Sequence, residues 1–358
     1  MYFYIHIPFC KSKCKYCKFA SFSRTWNQID EYVDFLKKEI REFFLTPGLK
    51  KIDSIYFGWW TPSILTIKQI KDIIGEFNIN LSPKLCKVRM DEYPEVTLEM
   101  NPENVNENYL NWLKEIWINR LSIWIQSLND KTLSEIWRCD FEIIKKSFDI
   151  LNKKIIDNVW LDFIIGLPCM KKWELTENIA YILDNYDFVK HTSVYMLEEW
   201  IYPKNWQNIS IRKEDYLDEY EGVYKTMQEY WFSRYEISNF AKPGFECLHN
   251  KSYWNHSNYR WFWLWAASFI ENRRFANSSK FSEYYASKME YQEILNDGQL
   301  RIEKIMFDIR TIWVKKEFLN KEKTEEFIKD WFLIEENLVI KPTFKWIWIL
   351  DYILSELI

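Results

Sequence analysis

The sequence predicts an α/β fold built on parallel strands closed into a whole or partial barrel. Two observations carry that reading. Short β-branched and aromatic runs alternate with amphipathic segments six times from the N-terminus onward, which is the pattern of repeated strand–helix units rather than of a meander. The strand runs are also nearly continuous in apolar residues, as strands covered on both faces are. Functional groups on such barrels gather at the C-terminal ends of the strands.

In chain order the strands are expected at 2–7 (YFYIHI), 54–58 (SIYFG), 95–100 (EVTLEM), 120–126 (RLSIWIQ), 160–166 (WLDFIIG) and 192–197 (TSVYML). Helices are expected at 28–44, 67–77, 106–116, 140–153 and 173–184, where apolar residues recur at helical spacing. Near residue 245 the alternation gives way to a mixed region, ending in a strand-like piece and a helix within 338–358. The organisation read from this is a core of 1–245, a partial (β/α)6 barrel, followed by a small α+β domain of 246–358.

Composition narrows the class. The 358 residues carry 48 Lys+Arg against 52 Asp+Glu, a formal charge of -4, with both signs spread along the chain. No basic block points to nucleic acid. The longest apolar run, Trp261 to Ile270, is short of the ~18 residues a membrane span needs. The opening MYFYIHIPFC lacks the parts of a secretory signal, so a soluble cytoplasmic protein is expected. Seven cysteines is an odd number, and three of them fall within eight residues. That argues against a disulfide framework. Cys86, Cys139 and Cys169 stand alone and read as small buried side chains.

The crowded three are Cys10, Cys14 and Cys17, spaced C-x3-C-x2-C just after the first strand. Thiolates so spaced can meet one metal centre from a single loop. Three ligands leave one iron of a [4Fe–4S] cluster open for another partner. The alternative is zinc, but a structural zinc site wants four ligands, and the nearest further candidate is His6, on the preceding strand.

Placed on the loop after the first barrel strand, this triad is similar to that of the radical S-adenosylmethionine (SAM) superfamily. YIHIPFC, FGWWTPSIL, LEMNP, NRLSIWIQSLND, LDFIIGLP and RYEISNFAKPGFECLHNKSYWN together resemble the heme chaperone HemW family, relatives of oxygen-independent coproporphyrinogen III oxidase. The likeness runs from residue 2 to about 270 and is weaker beyond. It implies that the open iron chelates the amino and carboxylate groups of SAM. It also implies cofactor contacts from Tyr4, from the turn Gly58, Trp59, Trp60 and Thr61, and from Glu99, Gln126, Arg138 and Asp162. Glu99 and Asp162 interrupt apolar strands, where an unpaired charge is costly; the competing reading for each is an ordinary capping or surface role.

Two functions compete within that resemblance. The oxidases use SAM to start a radical decarboxylation of a porphyrinogen, whereas the chaperones bind heme and hand it to other proteins. Three features favour the carrier. Phe19 holds the position of the oxidases' fourth cysteine, the chain begins nine residues before Cys10, and HNKSY at 249–253 matches the H-N-x-x-Y motif of the chaperone branch. His249 is then the expected heme ligand, a neutral imidazole being a common one for iron, with a loop-capping histidine as the alternative and Cys247 as a weaker candidate. The partners implied are heme or another tetrapyrrole, heme-accepting proteins and a reductant, with no catalytic residue assigned.

One figure is abnormal. The chain has 7 glycines and 20 tryptophans, whereas glycine normally makes up about 7% of residues; the two counts together come close to that share. Aligned by motif, tryptophan falls on family glycine positions at Trp59, Trp60, Trp117, Trp124, Trp137, Trp160, Trp231, Trp261, Trp263, Trp265, Trp331 and Trp346, while Trp254 matches a family tryptophan. The economical explanation is UGA codons that the source cell reads as glycine.

Overall fold

The structure is a computed structural model and describes residues 1–10, 13–17, 26–45, 51–59, 61–77, 93–197, 213–311, 313–343, 346 and 349–358. Phe19, Trp60 and Cys86 lie outside these residues, as do the side chains of Trp26, Asn27, Trp59 and Lys213.

Six strands follow the expected order: β1 (Tyr2–Ile7), β2 (Ser54–Trp59), β3 (Glu95–Met100), β4 (Arg120–Gln126), β5 (Asn158–Ile165) and β6 (Val189–Met196). Each pairs in parallel with the next. The connecting helices are α1 (Trp26–Leu45), α2 (Ile67–Gly75), α3 (Glu107–Glu115), α4 (Asp130–Glu135), α5 (Phe141–Leu151) and α6 (Glu174–Asn185). Local sequence sets their starts: Thr66 and Gln69 form a reciprocal capping box at α2, and Asn106, Asn129 and Asp140 cap α3, α4 and α5. After α7 (Lys213–Glu229), β8 (Asn239–Ala241) pairs antiparallel with β6, and β7 (Ser233–Arg234) pairs antiparallel with β8 at the edge.

Beyond α8 (Leu248–Trp254) the structure departs from the expected division. β9 (Tyr259–Phe262) returns beside β1 as a seventh parallel strand. β10 (Ala267–Ile270), β11 (Arg273–Asn277) and, after α9 (Phe281–Tyr285), β12 (Met289–Ile294) extend the same sheet antiparallel. One sheet of twelve strands therefore runs to Ile294. The change of pattern near 245 marks where the chain leaves its strand–helix units, not where the sheet ends. A separate core, with Ile305, Ile309, Phe327, Ile340 and Leu354, forms only beyond Ile294. This C-terminal unit comprises α10 (Asp297–Thr311), β13 (Val314–Lys315), α11 (Lys321–Lys329), β14 (Leu333–Glu336), β15 (Val339–Pro342) and α12 (Leu350–Leu357). Trp346, expected at a glycine slot, is fully buried in this second core, so packing gives that indole a place. Among the described residues no helix is long and apolar enough to cross a membrane.

The two faces of the parallel sheet differ in chemistry. Phe3, Ile5, Ile55, Phe57, Leu98, Leu121, Ile123, Leu161 and Phe163 point to the helices and build the main core. The alternate residues carry Tyr4, His6, Tyr56, Glu99, Ser122, Trp160, Asp162 and Ser193, all buried. β2 and β5 are three strand spacings apart in the sheet, ~14 Å if it were flat. Yet the Tyr56 and Trp160 rings approach to 6.3 Å. The sheet therefore curls, and its polar face becomes the inside of a partial barrel.

Candidate cofactor site

Cys10, Cys14 and Cys17 line one cavity at the C-terminal end of β1, together with Tyr16, Thr61, Asn101, Glu103, Trp124, Trp137 and Arg138. A set of short contacts fixes its walls. The Thr61 hydroxyl lies 3.3 Å from Cys10 Sγ and accepts from Asn101 Nδ2 at 3.3 Å. Arg138 donates to Asn101 Oδ1 at 2.8 Å and to the Trp124 carbonyl at 2.5 Å, and its Nη1 stands 3.9 Å from Cys14 Sγ. A guanidinium is charged at any working pH, so the cavity carries a fixed positive charge beside its sulfurs.

The donor set fits a cluster better than a single ion. Among the described residues no group of three His, Cys, Asp or Glu converges as the ligands of one metal ion would. Zinc needs all its ligands about 2.0–2.3 Å from one point. Three cysteines of a [4Fe–4S] cluster bind different irons and need only surround a shared space. His6, the further zinc candidate, is not in the lining; its ring stacks on Trp263 at 3.4 Å.

Below the cavity the inner face carries the carboxylates. Glu99 accepts from the Tyr56 hydroxyl at 2.7 Å, and Asp162 accepts from Ser122 Oγ at 2.6 Å. Burial pushes the Asp162 carboxyl up to about 7, against hydrogen bonds from Ser122, Ser193 and Trp160. Gly58, paired with His6 across β1 and β2, has no room for a side chain: a Cβ there would sit 2.6 Å from the Tyr56 ring and 2.9 Å from Tyr4 Oη. Gln126 ends β4 at a register shift with φ 72°. It is buried, and its Oε1 has no hydrogen-bond partner. Strain and an orphaned acceptor at one strand end are what a ligand-binding position stores. That acceptor and the paired carboxylates fit a cationic ligand bearing hydrogen-bond donors.

Not every expected residue meets at this cavity. Tyr4 lies deeper, stacked on Tyr56 at 5.7 Å and packed at a tilt on Trp261 at 4.5 Å. His249 sits on α8, beneath the N-terminal ends of the strands, and is buried. Its Nδ1 is 2.8 Å from the hydroxyl of Ser54, the first residue of β2, and its Nε2 is 2.7 Å from the Tyr253 hydroxyl. Trp261 Nε1 donates to the same hydroxyl at 2.7 Å, so the imidazole is held between the Ser54 and Tyr253 hydroxyls. Burial pushes His249 down to about 3, leaving a neutral ring. Cys247 caps α8 and donates to Glu95 at 3.4 Å. Burial and that carboxylate push its thiol far up, which works against its serving as a thiolate ligand.

Sequence reasoning missed Asn101, the bridge between Thr61 and Arg138, and the hydroxyl donors Tyr56 and Ser122. Asn101 was within reach, since it directly follows LEM in the LEMNP motif; nothing in the sequence distinguishes Tyr56 or Ser122 from other strand residues.

Three sulfurs facing a curled parallel sheet at its C-terminal end, with buried carboxylates beneath, define a protein of the radical SAM class, and a sequence profile of that superfamily matches residues 4–182. Within it the chain belongs to the heme chaperone HemW family. The heme chaperone HemW of Bacillus subtilis is 32% identical over 292 residues, covering 78% of this chain and 74% of that protein. The HemW of Lactococcus lactis is 28% identical over 288 residues, covering 78% and 73%. Among solved structures the fold is similar to the coproporphyrinogen III oxidase HemN of Escherichia coli, a radical SAM enzyme, with a TM-score of 0.79 over 99% of this chain and 88% of that one at 17% identity.

Proposed function

We propose that the chain is a heme carrier built on a radical SAM scaffold. In this reading Cys10, Cys14 and Cys17 hold a [4Fe–4S] cluster whose open iron takes SAM, and heme binds through His249 before passing to acceptor proteins in the cytoplasm. The observation that supports it most is the 32% identity with a protein named heme chaperone over 78% of the chain; the intact cysteine triad and HNKSY agree with it.

The cluster, when bound, supplies a Lewis-acidic iron and an electron fed by an external reductant. The chain's residues do the rest. Arg138 and Thr61 stand beside the sulfurs, Glu99 and Asp162 offset the positive charge of a sulfonium, and Gln126 Oε1 waits for a donor. Tyr4 and Gly58 lie on the inner face of β1 and β2, and the motif that continues from Gly58 would read as glycine at 59 and 60 if UGA encodes them. His249 is kept neutral by burial, the form that binds iron; ligation replaces one of its two present hydrogen bonds.

The test is anaerobic. After cluster reconstitution the protein is offered hemin and, separately, coproporphyrinogen III with SAM and a reductant. Stoichiometric heme uptake, weakened at least tenfold by His249→Ala, with no porphyrinogen turnover is expected. Decarboxylated product would make the chain an oxidase, and unchanged heme binding in the variant would remove His249 from the site.

A further inference from the structure

Four helices end in the same way on the same residue. After α3, Trp117 N–H donates to the Lys114 carbonyl and Ile118 N–H to that of Leu113. After α4, Trp137 donates to Ser134 and Arg138 to Leu133; after α7, Trp231 to Gln228 and Phe232 to Met227; after α11, Trp331 to Ile328 and Phe332 to Phe327. Each pair is a Schellman closure, which puts the first residue past the cap in the left-handed region and usually employs glycine there. The four tryptophans have φ 74°, 62°, 67° and 63°. α8 and α9 close likewise on His256 and Ser287, so none of these six ends carries a glycine.

Three of these four indoles are largely exposed, while Trp117 is half-buried and stacks on Tyr93 at 5.6 Å. Trp137, Trp231 and Trp331 are 61%, 82% and 70% exposed. Trp173 and Trp265 are also left-handed, at φ 68° and 61°, and exposed. A bulky side chain is strained in this region, where glycine is at ease, and an exposed ring offers no burial to offset the strain. Among the described residues seven of the fifteen non-glycine positions with positive φ are tryptophan, yet only 20 of 358 residues are tryptophan.

A second, independent observation comes from the barrel interior. Trp124 and Trp137 line the cysteine cavity, which is held to about 50 Å³, whereas small-molecule sites span about 300–1,000 Å³. Deeper in, Trp263 lies flat on His6, Trp261 packs on Tyr4, and Trp160 packs on His191 at 4.2 Å. Arg120 faces the Trp160 ring at 5.4 Å. Behind that indole, Arg120 Nε and Nη2 and His191 Nδ1 are buried without hydrogen-bond partners.

We propose that the native polypeptide carries glycine at positions 117, 137, 173, 231, 265 and 331, and by the same decoding at 124, 160, 261 and 263. UGA, read as glycine in the cell, accounts for one residue type replacing one other throughout. The barrel interior is then an open chamber running from the three sulfurs down to Arg120 and His191. At its base the buried Arg120 Nε and Nη2, which have no hydrogen-bond partner in the protein, face the space that the Trp160 indole fills. The assignment stands on the helix ends and the crowded interior, not on the proposed function, and includes Trp173, which has no family motif to flag it.

Mass spectrometry of the protein from its own cells decides it. Peptides spanning 117, 137, 173 and 231 are expected to be lighter than the written sequence by the difference between tryptophan and glycine, with UGA in the gene at each. Tryptophan masses at 137 and 231, or UGG codons there, overturn it. Recombinant protein with glycine at 117, 137, 231 and 331 is expected to unfold several degrees higher than the protein as written; an equal or lower midpoint counts against the left-handed argument. Binding of SAM separates the two ideas: glycine masses with no SAM binding would leave this assignment standing and remove the cofactor reading.

Discussion

A carboxyl on the inner face of the barrel is shifted by burial into the range of neutral pH. Asp162 titrates at about 7 in the fold, against an ordinary value of 3.8. Between those values the folded chain holds a proton that the unfolded chain has lost, so this group lowers stability as pH rises through the window, and the loss levels off above about 7. Asp162→Asn removes the titration. The Tm of the variant minus that of the ligand-free parent is therefore expected to grow from about pH 4 to about pH 7 and then stay flat. A difference that does not vary with pH would mean the carboxyl is not held up by burial. The difference also isolates Asp162 from Glu236, which burial raises to about 7 as well. Asp162 and Glu99 were legible in the sequence because a charge inside an apolar strand demands a partner or a ligand. Their donors were not: Ser122 and Tyr56 are ordinary strand residues, and only three-dimensional register brings them to the carboxylates.

At the scale of elements, the segment bearing His249 is fastened to the barrel by one buried ion pair. Glu95, the first residue of β3, accepts from the backbone N–H of Leu248 and of His249 at 3.2 Å each, satisfying the start of α8. It also meets Arg120 of β4 at 3.3 Å, and Arg120 in turn donates to the Phe245 carbonyl at 3.0 Å. Arg120 is fully buried. Removing one partner of such a pair leaves an uncompensated charge, at a cost of about 3–5 kcal/mol. Glu95→Ala is expected to lose that much in denaturant unfolding and to loosen α8, so that hydrogen exchange at His249 speeds up. A loss below ~1 kcal/mol with unchanged exchange would contradict this fastening. By contrast, Thr66→Ala removes only the capping box of α2 and is expected to cost about 1 kcal/mol. The strand–helix units were read to within a few residues, because their apolar runs are long and their caps explicit. β9 to β12 were not, because β9 and β10 are only four residues long, β12 is exposed along its length, and the pairing of β9 with β1 joins residues more than 250 positions apart.

For the whole molecule, the sequence located the sulfur loop and the parallel strands that carry it, since both are local signals. The boundary read near 245 is where the chain leaves its repeating units, while the sheet itself runs on to Ile294. The sequence reading assigned His249 to heme and the cysteines to a cluster; the fold sets His249 beneath the strand starts and the sulfurs at the strand ends. The proposed carrier function has a direct readout. Cluster-loaded protein is charged anaerobically with one equivalent of hemin, mixed with an apo heme-binding acceptor, and the Soret band is followed. The heme spectrum is expected to move to the acceptor at a rate that rises with acceptor concentration, faster than from free hemin. Transfer no faster than from hemin alone, with heme retained by the chain, would contradict a carrier.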